Sequence, residues 1–127
     1  MEIQETVAND AKLTIKVKAD ANGHPTADDV EIDRVTKITW ELDESVTQQW
    51  DLVAIQWKPA KDVDAPNEFD KWEGPGKNQG KKIKARDKHA TMGEFPYYIW
   101  VVAADGTGEP VRSCDPVIRN VPPRAPL

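Results

Sequence analysis

Hydrophobic and polar positions alternate with a period of two at several places along the chain, the pattern of strands with one wet face. In residues 12–18, Leu13, Ile15 and Val17 fall on one side and Lys12, Thr14, Lys16 and Lys18 on the other. Asn22-Gly23-His24-Pro25 then signals a turn. Residues 30–42 predict a second strand region, with Val30, Ile32, Ile38, Trp40 and Leu42 set among polar neighbours, and Asp43-Glu44-Ser45 breaks it. Residues 41–49 come nearest to a short turn of helix. In 50–57, Val53, Ile55 and Trp57 share a face, and Pro59, which cannot donate to a ladder, ends the run. Residues 58–80 carry Pro66, Gly74, Pro75, Gly76 and Gly80 and are the least regular part, with Phe69 and Trp72 expected to pin them to the body. A basic strand is expected over 81–88. Residues 96–104 are apolar on both sides, which predicts a central buried strand. Asp105-Gly106-Thr107-Gly108 is the strongest turn, a final strand covers about 110–120, and the proline-rich end cannot extend a ladder.

No stretch has a convincing helical period. Short strands separated by turn signals predict an all-β fold, a two-sheet antiparallel β-sandwich of about seven or eight strands. A chain of 127 residues suits one domain. The expected division is an extension at 1–9, one domain at 10–121 and a tail at 122–127. Of the five tryptophans, Trp40, Trp57 and Trp100 occupy inward strand positions and are expected in the core, whereas Trp50 and Trp72 lie near loops.

The net charge of −5 argues against general nucleic-acid affinity. No apolar run approaches a membrane span. The polar start lacks the basic and apolar regions of a secretory leader, which makes a cytoplasmic location the default expectation. The single cysteine, Cys114, excludes an internal disulfide framework and a cysteine-rich zinc site. His24, His89, Met92 and Cys114 are the only soft-ligand candidates of interest for a metal. Asp62, Asp64, Asn67, Glu68, Asp70 and Glu73 offer oxygens for calcium, but the glycine of an EF-hand loop is replaced by Asn67. Ser45 and Ser113, the only serines, lie outside any Gly-x-Ser-x-Gly turn, and no glycine loop is built to cradle phosphate. The chain is therefore read as a non-enzyme without a cofactor.

Charge is segregated. Asp28, Asp29, Glu31, Asp33, Glu41, Asp43, Glu44 and Asp51 crowd one stretch; Lys71, Lys77, Lys81, Lys82, Lys84, Arg86 and Lys88 crowd another. Strand spacing puts Lys82, Lys84, Arg86 and Lys88 on one face and Ile83 and Ala85 on the other. The default reading of such a stripe is a guard against edge-to-edge pairing. The functional reading is a surface for an anionic partner or for a neighbouring subunit. With Trp50 and Trp72, these four residues are the candidate partner-binding set. The expected partner is a protein or a second copy of the chain, in a weak homodimer; nucleic acid and membrane are not expected.

Two segments resemble the cupredoxins, small copper-binding β-sandwiches: Ile38-Thr-Trp-Glu-Leu-Asp43, like the V-T-W-x-N-x-D stretch, and Gly93-Glu-Phe-Pro-Tyr-Tyr-Ile99, like G-x-Y-x-Y-x-C. Immunoglobulin-like sandwiches use a similar Gly-x-aromatic-x-Tyr start to a late strand. Cys114-Asp-Pro-Val-Ile-Arg-Asn120 is similar to the D-P-x-I-x-N close of small bacterial proteins with such domains. The resemblance implies the fold without the copper site, because Ser45-Val-Thr-Gln-Gln-Trp50 lacks the first histidine and Ile99 stands where the cysteine belongs. The resulting expectation is a non-catalytic binding, interaction or structural module. The alternatives are a small copper or redox protein with a relocated site, and a carbohydrate-binding module using Trp50 and Trp72.

Overall fold

The alternation of residues 12–18 becomes strand β1 (Ala11–Ala19), whose inward positions Ile15 and Val17 are buried and whose lysines face solvent. The computed structural model describes residues 10–59, 64–78, 80–114 and 116–123, so residues 1–9 and the last four residues of the tail lie outside the described set. After β1 come β2 (Pro25–Thr26), β3 (Val30–Ile32), β4 (Thr36–Leu42) and β5 (Trp50–Trp57). A one-turn helix α1 (Ala65–Glu68), β6 (Phe69–Glu73) and a 3-10 turn at Pro75–Asn78 follow. Next are β7 (Lys82–Asp87), β8 (Gly93–Ala103), β9 (Val111–Arg112) and β10 (Val117–Asn120).

The fold is all-β, with two sheets packed face to face. One has the order β2-β1-β4-β7-β6; the other runs β3-β10-β8-β5, with β9 also on β8. Among the described residues ten strands form where seven or eight were expected: the regions 30–42 and 110–120 each divide, and β2 and β6 form at a segment read as a turn and within the segment read as irregular. Val30 and Ile32 belong to the second sheet, Ile38, Trp40 and Leu42 to the first. The chain crosses between layers at Asp33–Val35. The sandwich is also mixed rather than wholly antiparallel. β1 runs parallel to β4, from Ala11 opposite Thr36 to Val17 opposite Leu42, and β3 runs parallel to β10. Residues 44–49 form turns, not helix.

Between the sheets lie Ile15, Val17, Ile38, Trp40, Ile83 and Ala85 from the first layer and Leu52, Phe95, Tyr97, Ile99, Val101 and Ile118 from the second. Trp40 is wholly buried and donates from Nε1 to the Tyr97 hydroxyl at 3.1 Å. Phe69, 2% exposed, stacks on Trp57 at 4.3 Å and so pins the irregular segment to the core, as expected.

Two local irregularities override the alternation. A bulge in β5 between Leu52 and Ala54 turns Leu52 inward and leaves Val53 40% exposed, so Val53 does not share the face of Ile55 and Trp57. In β8 only Phe95, Tyr97, Ile99 and Val101 are buried. Trp100 lies on the outer face rather than in the core, its Nε1 donating to Gln56 Oε1 at 2.8 Å. Arg112 covers that face, its guanidinium 4.2 Å from the Tyr98 ring centre. β8 is central in its sheet, but a polar side-chain cover replaces the second apolar layer that its sequence suggested.

Candidate partner-binding surfaces

β7 lies between β4 and β6, so it is an interior strand. Its lysines guard no edge. Alternation sends Ile83, Ala85 and Asp87 inward and Lys82, Lys84 and Arg86 outward. Register then aligns residues from distant parts of the chain on the outer face. Lys12 stands opposite Lys37, Lys37 opposite Arg86, and Arg86 opposite Asp70. The next row is Thr14, Thr39, Lys84 and Glu73. These two rows, apart from Asp70, line one surface cleft of about 400 Å³, together with Lys71 and the apolar Leu13, Ile38 and Ala85.

The charges in the cleft are unequally satisfied. Arg86 holds Asp70 through two hydrogen bonds, Nε to Oδ1 at 2.9 Å and Nη2 to Oδ2 at 2.8 Å. This contact keeps the Asp70 carboxyl below its ordinary pKa. One row further on, Lys16 pairs with Glu41 at 3.3 Å. Lys12, Lys37, Lys71 and Lys84 take part in no ion pair among the described residues. Like charges directly opposite on neighbouring strands repel, and Lys12 with Lys37 is such a pair.

Sequence reasoning found Lys84 and Arg86 of this cleft. Lys82 lies on the same face beyond it, and Lys88 follows the strand, with its backbone N–H bonded to Glu68 O. Lys12, Lys37 and Lys71 were missed as members of the set. The wet face of residues 12–18 was visible, but only the parallel pairing of β1 with β4 places it beside β7.

The candidate tryptophans are not brought together. Trp50 is half-buried against the core. Trp72 is 43% exposed and stacks on buried Trp40, with ring centres 5.9 Å apart and planes 5° apart. It lines a second cleft, of about 370 Å³, with Trp57, Ile55, Ala54, Pro66, Gly74, Pro75 and Ile83. Among the described residues the only polar side-chain groups lining it are the indole N–H groups of Trp57 and Trp72, a sparse set of partners for sugar hydroxyls. Lys71, just before Trp72, has φ of 54°, and the β6–β7 register shifts between Asp70 and Glu73.

A third polar arrangement is internal. Glu68, Asp87 and Asn120 are at most 4% exposed. Glu68 Oε2 accepts from the backbone N–H groups of Ala90 at 2.7 Å and Thr91 at 3.0 Å, and from Asn120 Nδ2 at 3.1 Å. Asp87 Oδ1 accepts from His89 N–H and Asn120 Nδ2. Asp87 Oδ2 and Asn120 Oδ1 have no hydrogen-bond partner among the described residues. Desolvation raises the Asp87 pKa from 3.8 to about 6, with neighbouring Glu68 adding to the shift. The cluster ties α1, the end of β7, the loop before β8 and the end of β10 into one end of the sandwich.

The metal candidates are dispersed. His24 sits in the turn before β2, held by Asp20, and Cys114 is exposed after β9. His89 Nε2 lies 2.7 Å from Val121 O, while Met92 is 40% exposed. The calcium candidates are engaged elsewhere: Asp64 caps α1 and bonds Asn67, Glu68 faces inward, and Asp70 holds Arg86. Asp62 lies outside the described residues. No group of three or more His, Cys, Asp or Glu residues able to hold a metal occurs among the described residues. Ser45 Oγ bonds Asp43 Oδ2, and Ser113 Oγ accepts from Ile99 N–H, so both serines serve the backbone and turns. Among the described residues, no helix is long and apolar enough to cross a membrane. No protein-family model matches this chain, and no curated protein is significantly similar to it in sequence.

Proposed function

We propose that the protein is a non-catalytic interaction module that binds an anionic partner, a protein or a second copy of itself, on the outer face of its first sheet. The observation that carries this reading is the row Lys12, Lys37, Arg86 with Lys84 and Lys71 around one cleft. A chain of net charge −5 gathers these cations from four strands, and Lys12, Lys37, Lys71 and Lys84 take part in no ion pair among the described residues. As β7 is interior, protection of a sheet edge does not explain them. An arriving anion relieves the repulsion between Lys12 and Lys37, so binding and local stability are coupled in the favourable direction. The dispersal of serines, histidines and Cys114 supports a module without chemistry of its own.

The test is fluorescence anisotropy with labelled polyglutamate, heparin fragments and single-stranded oligonucleotide at low salt. Binding of at least one probe is expected, weakening as salt shortens the screening length and as Lys12, Lys37 and Lys84 are replaced by Gln. If none of the probes binds, or if binding ignores the three substitutions, the reading fails.

A further inference from the structure

Strand geometry constrains what the cleft can hold. Outward side chains on one strand repeat about every 6.7 Å, and those on neighbouring strands lie about 4.8 Å apart. Along β7 this spacing separates Arg86, Lys84 and Lys82, all on the outer face. An extended polypeptide has the same repeat: its residues i, i+2 and i+4 project to one side at the same interval. Carboxylates on alternate residues of such a segment match the spacing of Arg86, which Asp70 also holds, of Lys84 in the cleft and of Lys82 just beyond it. Lys12 and Lys37 flank them on one side and Lys71 on the other, and the Thr14 and Thr39 hydroxyls follow one row along on the strands of Lys12 and Lys37 as further donors.

We infer that the cleft receives an extended acidic polypeptide segment whose carboxylates alternate with neutral residues, laid along β7. The inference rests on the anionic-partner reading and names the partner's form. The rim of the face favours a segment of this kind over broader polyanions. Glu41, Asp70 and Glu73 stand on the same outward rows as the cations. A few spaced carboxylates can thread between these acids. A duplex or a lipid surface, with charge spread continuously over a larger area, meets them head on. Single-stranded nucleic acid has a comparable phosphate repeat, but its bases bind by stacking on aromatic rings. Among the described residues, no aromatic side chain lines this cleft. An anionic membrane engages best where apolar side chains are displayed beside the basic ones. The exposed Trp72 ring lines the other cleft instead.

The experiment compares two labelled peptides of one composition, four Glu alternating with four Ser and four Glu followed by four Ser, against the full chain at low salt. The alternating peptide is expected to bind about fivefold more tightly, the factor that one additional exposed charge pair supplies. Lys84→Gln is expected to reduce this preference, because it removes the middle cation of the β7 column, and an unchanged circular dichroism spectrum verifies the fold. Equal affinities for the two peptides overturn the inference while leaving the anionic-partner reading standing. Tighter binding of an eight-nucleotide single strand or a heparin fragment than of the alternating peptide overturns it as well. Failure of every probe removes the underlying reading itself.

Discussion

The two faces of the first sheet are made from alternate residues of the same strands and have opposite construction. Inward, Ile15, Val17, Ile38, Trp40, Ile83 and Ala85 are packed and nearly free of solvent, and the one charged inward residue of β7, Asp87, is fixed by Asn120 and the His89 backbone. Outward, Lys12, Lys37 and Lys84 touch no counterion among the described residues. A buried face tolerates little change because each removed group leaves a cavity or an unpaired polar atom. An exposed face far from such features changes stability by small amounts whatever its charge. Stability rests on the inner face and the proposed recognition on the outer one, and each can be broken separately.

The largest effect is expected at Trp40. Trp40→Ala removes a fully buried indole, its bond to Tyr97 and the support beneath Trp72, and should cost about 3–5 kcal/mol in urea denaturation. Trp100→Ala, on the outer face of the second sheet, should cost less than about 2 kcal/mol. Equal losses would erase the distinction between inner and outer tryptophans. Next in size is Asn120→Ala. It removes one donor group at once from Glu68 Oε2, Asp87 Oδ1 and Thr91 O in a buried site, and should cost about 3 kcal/mol although the two carboxylates keep their backbone donors. A loss below about 1 kcal/mol would show that the cluster is not what closes that end of the sandwich.

Asp87 gives the inner face a pH dependence opposite in sign to that of Asp70 on the outer face, whose lowered pKa makes its contribution fade as pH falls. The Asp87 carboxyl titrates at about 6 in the folded protein against 3.8 ordinarily. Between those values the folded state holds a proton that the unfolded chain has released. The contribution of Asp87 is therefore fully present below about pH 4 and is lost as pH rises through about 6, with a slope of at most about 1.4 kcal/mol per unit. Asp87→Asn should flatten the stability profile over that window, measured by urea titration at a series of pH values. An unchanged profile would place the titration elsewhere. The smallest effect belongs to Lys37→Glu, which turns the repulsion with Lys12 into attraction and should shift stability by no more than about 0.5 kcal/mol, towards greater stability.

The sequence carried the fold as far as local pattern reaches. Alternation found β1, β4, β7 and the inward side of each, because the period of two is a property of a single strand. The same alternation carried two residues on puts Asp87 on the inward side with Ile83 and Ala85, a local signal that the basic stripe overshadows. What escaped depends on neighbours distant in sequence. Nothing local says that β1 runs parallel to β4, that β7 is interior, or that Lys12 and Lys37 complete the row begun by Arg86. The bulge that exposes Val53 shifts the phase of β5 without a proline or glycine to mark it. Trp100 misled because an apolar outer face can be covered by Arg112 and Gln56 as well as by a second layer.

The central claim, that one face of the first sheet holds the fold while the other binds, is tested most directly on the triple variant Lys12→Gln, Lys37→Gln, Lys84→Gln. Its urea unfolding and its affinity for labelled polyglutamate are measured on the same preparation. The account predicts stability within about 0.5 kcal/mol of the parent chain and an affinity lower by at least about tenfold. An unchanged affinity, or a loss of stability above about 2 kcal/mol, would contradict it.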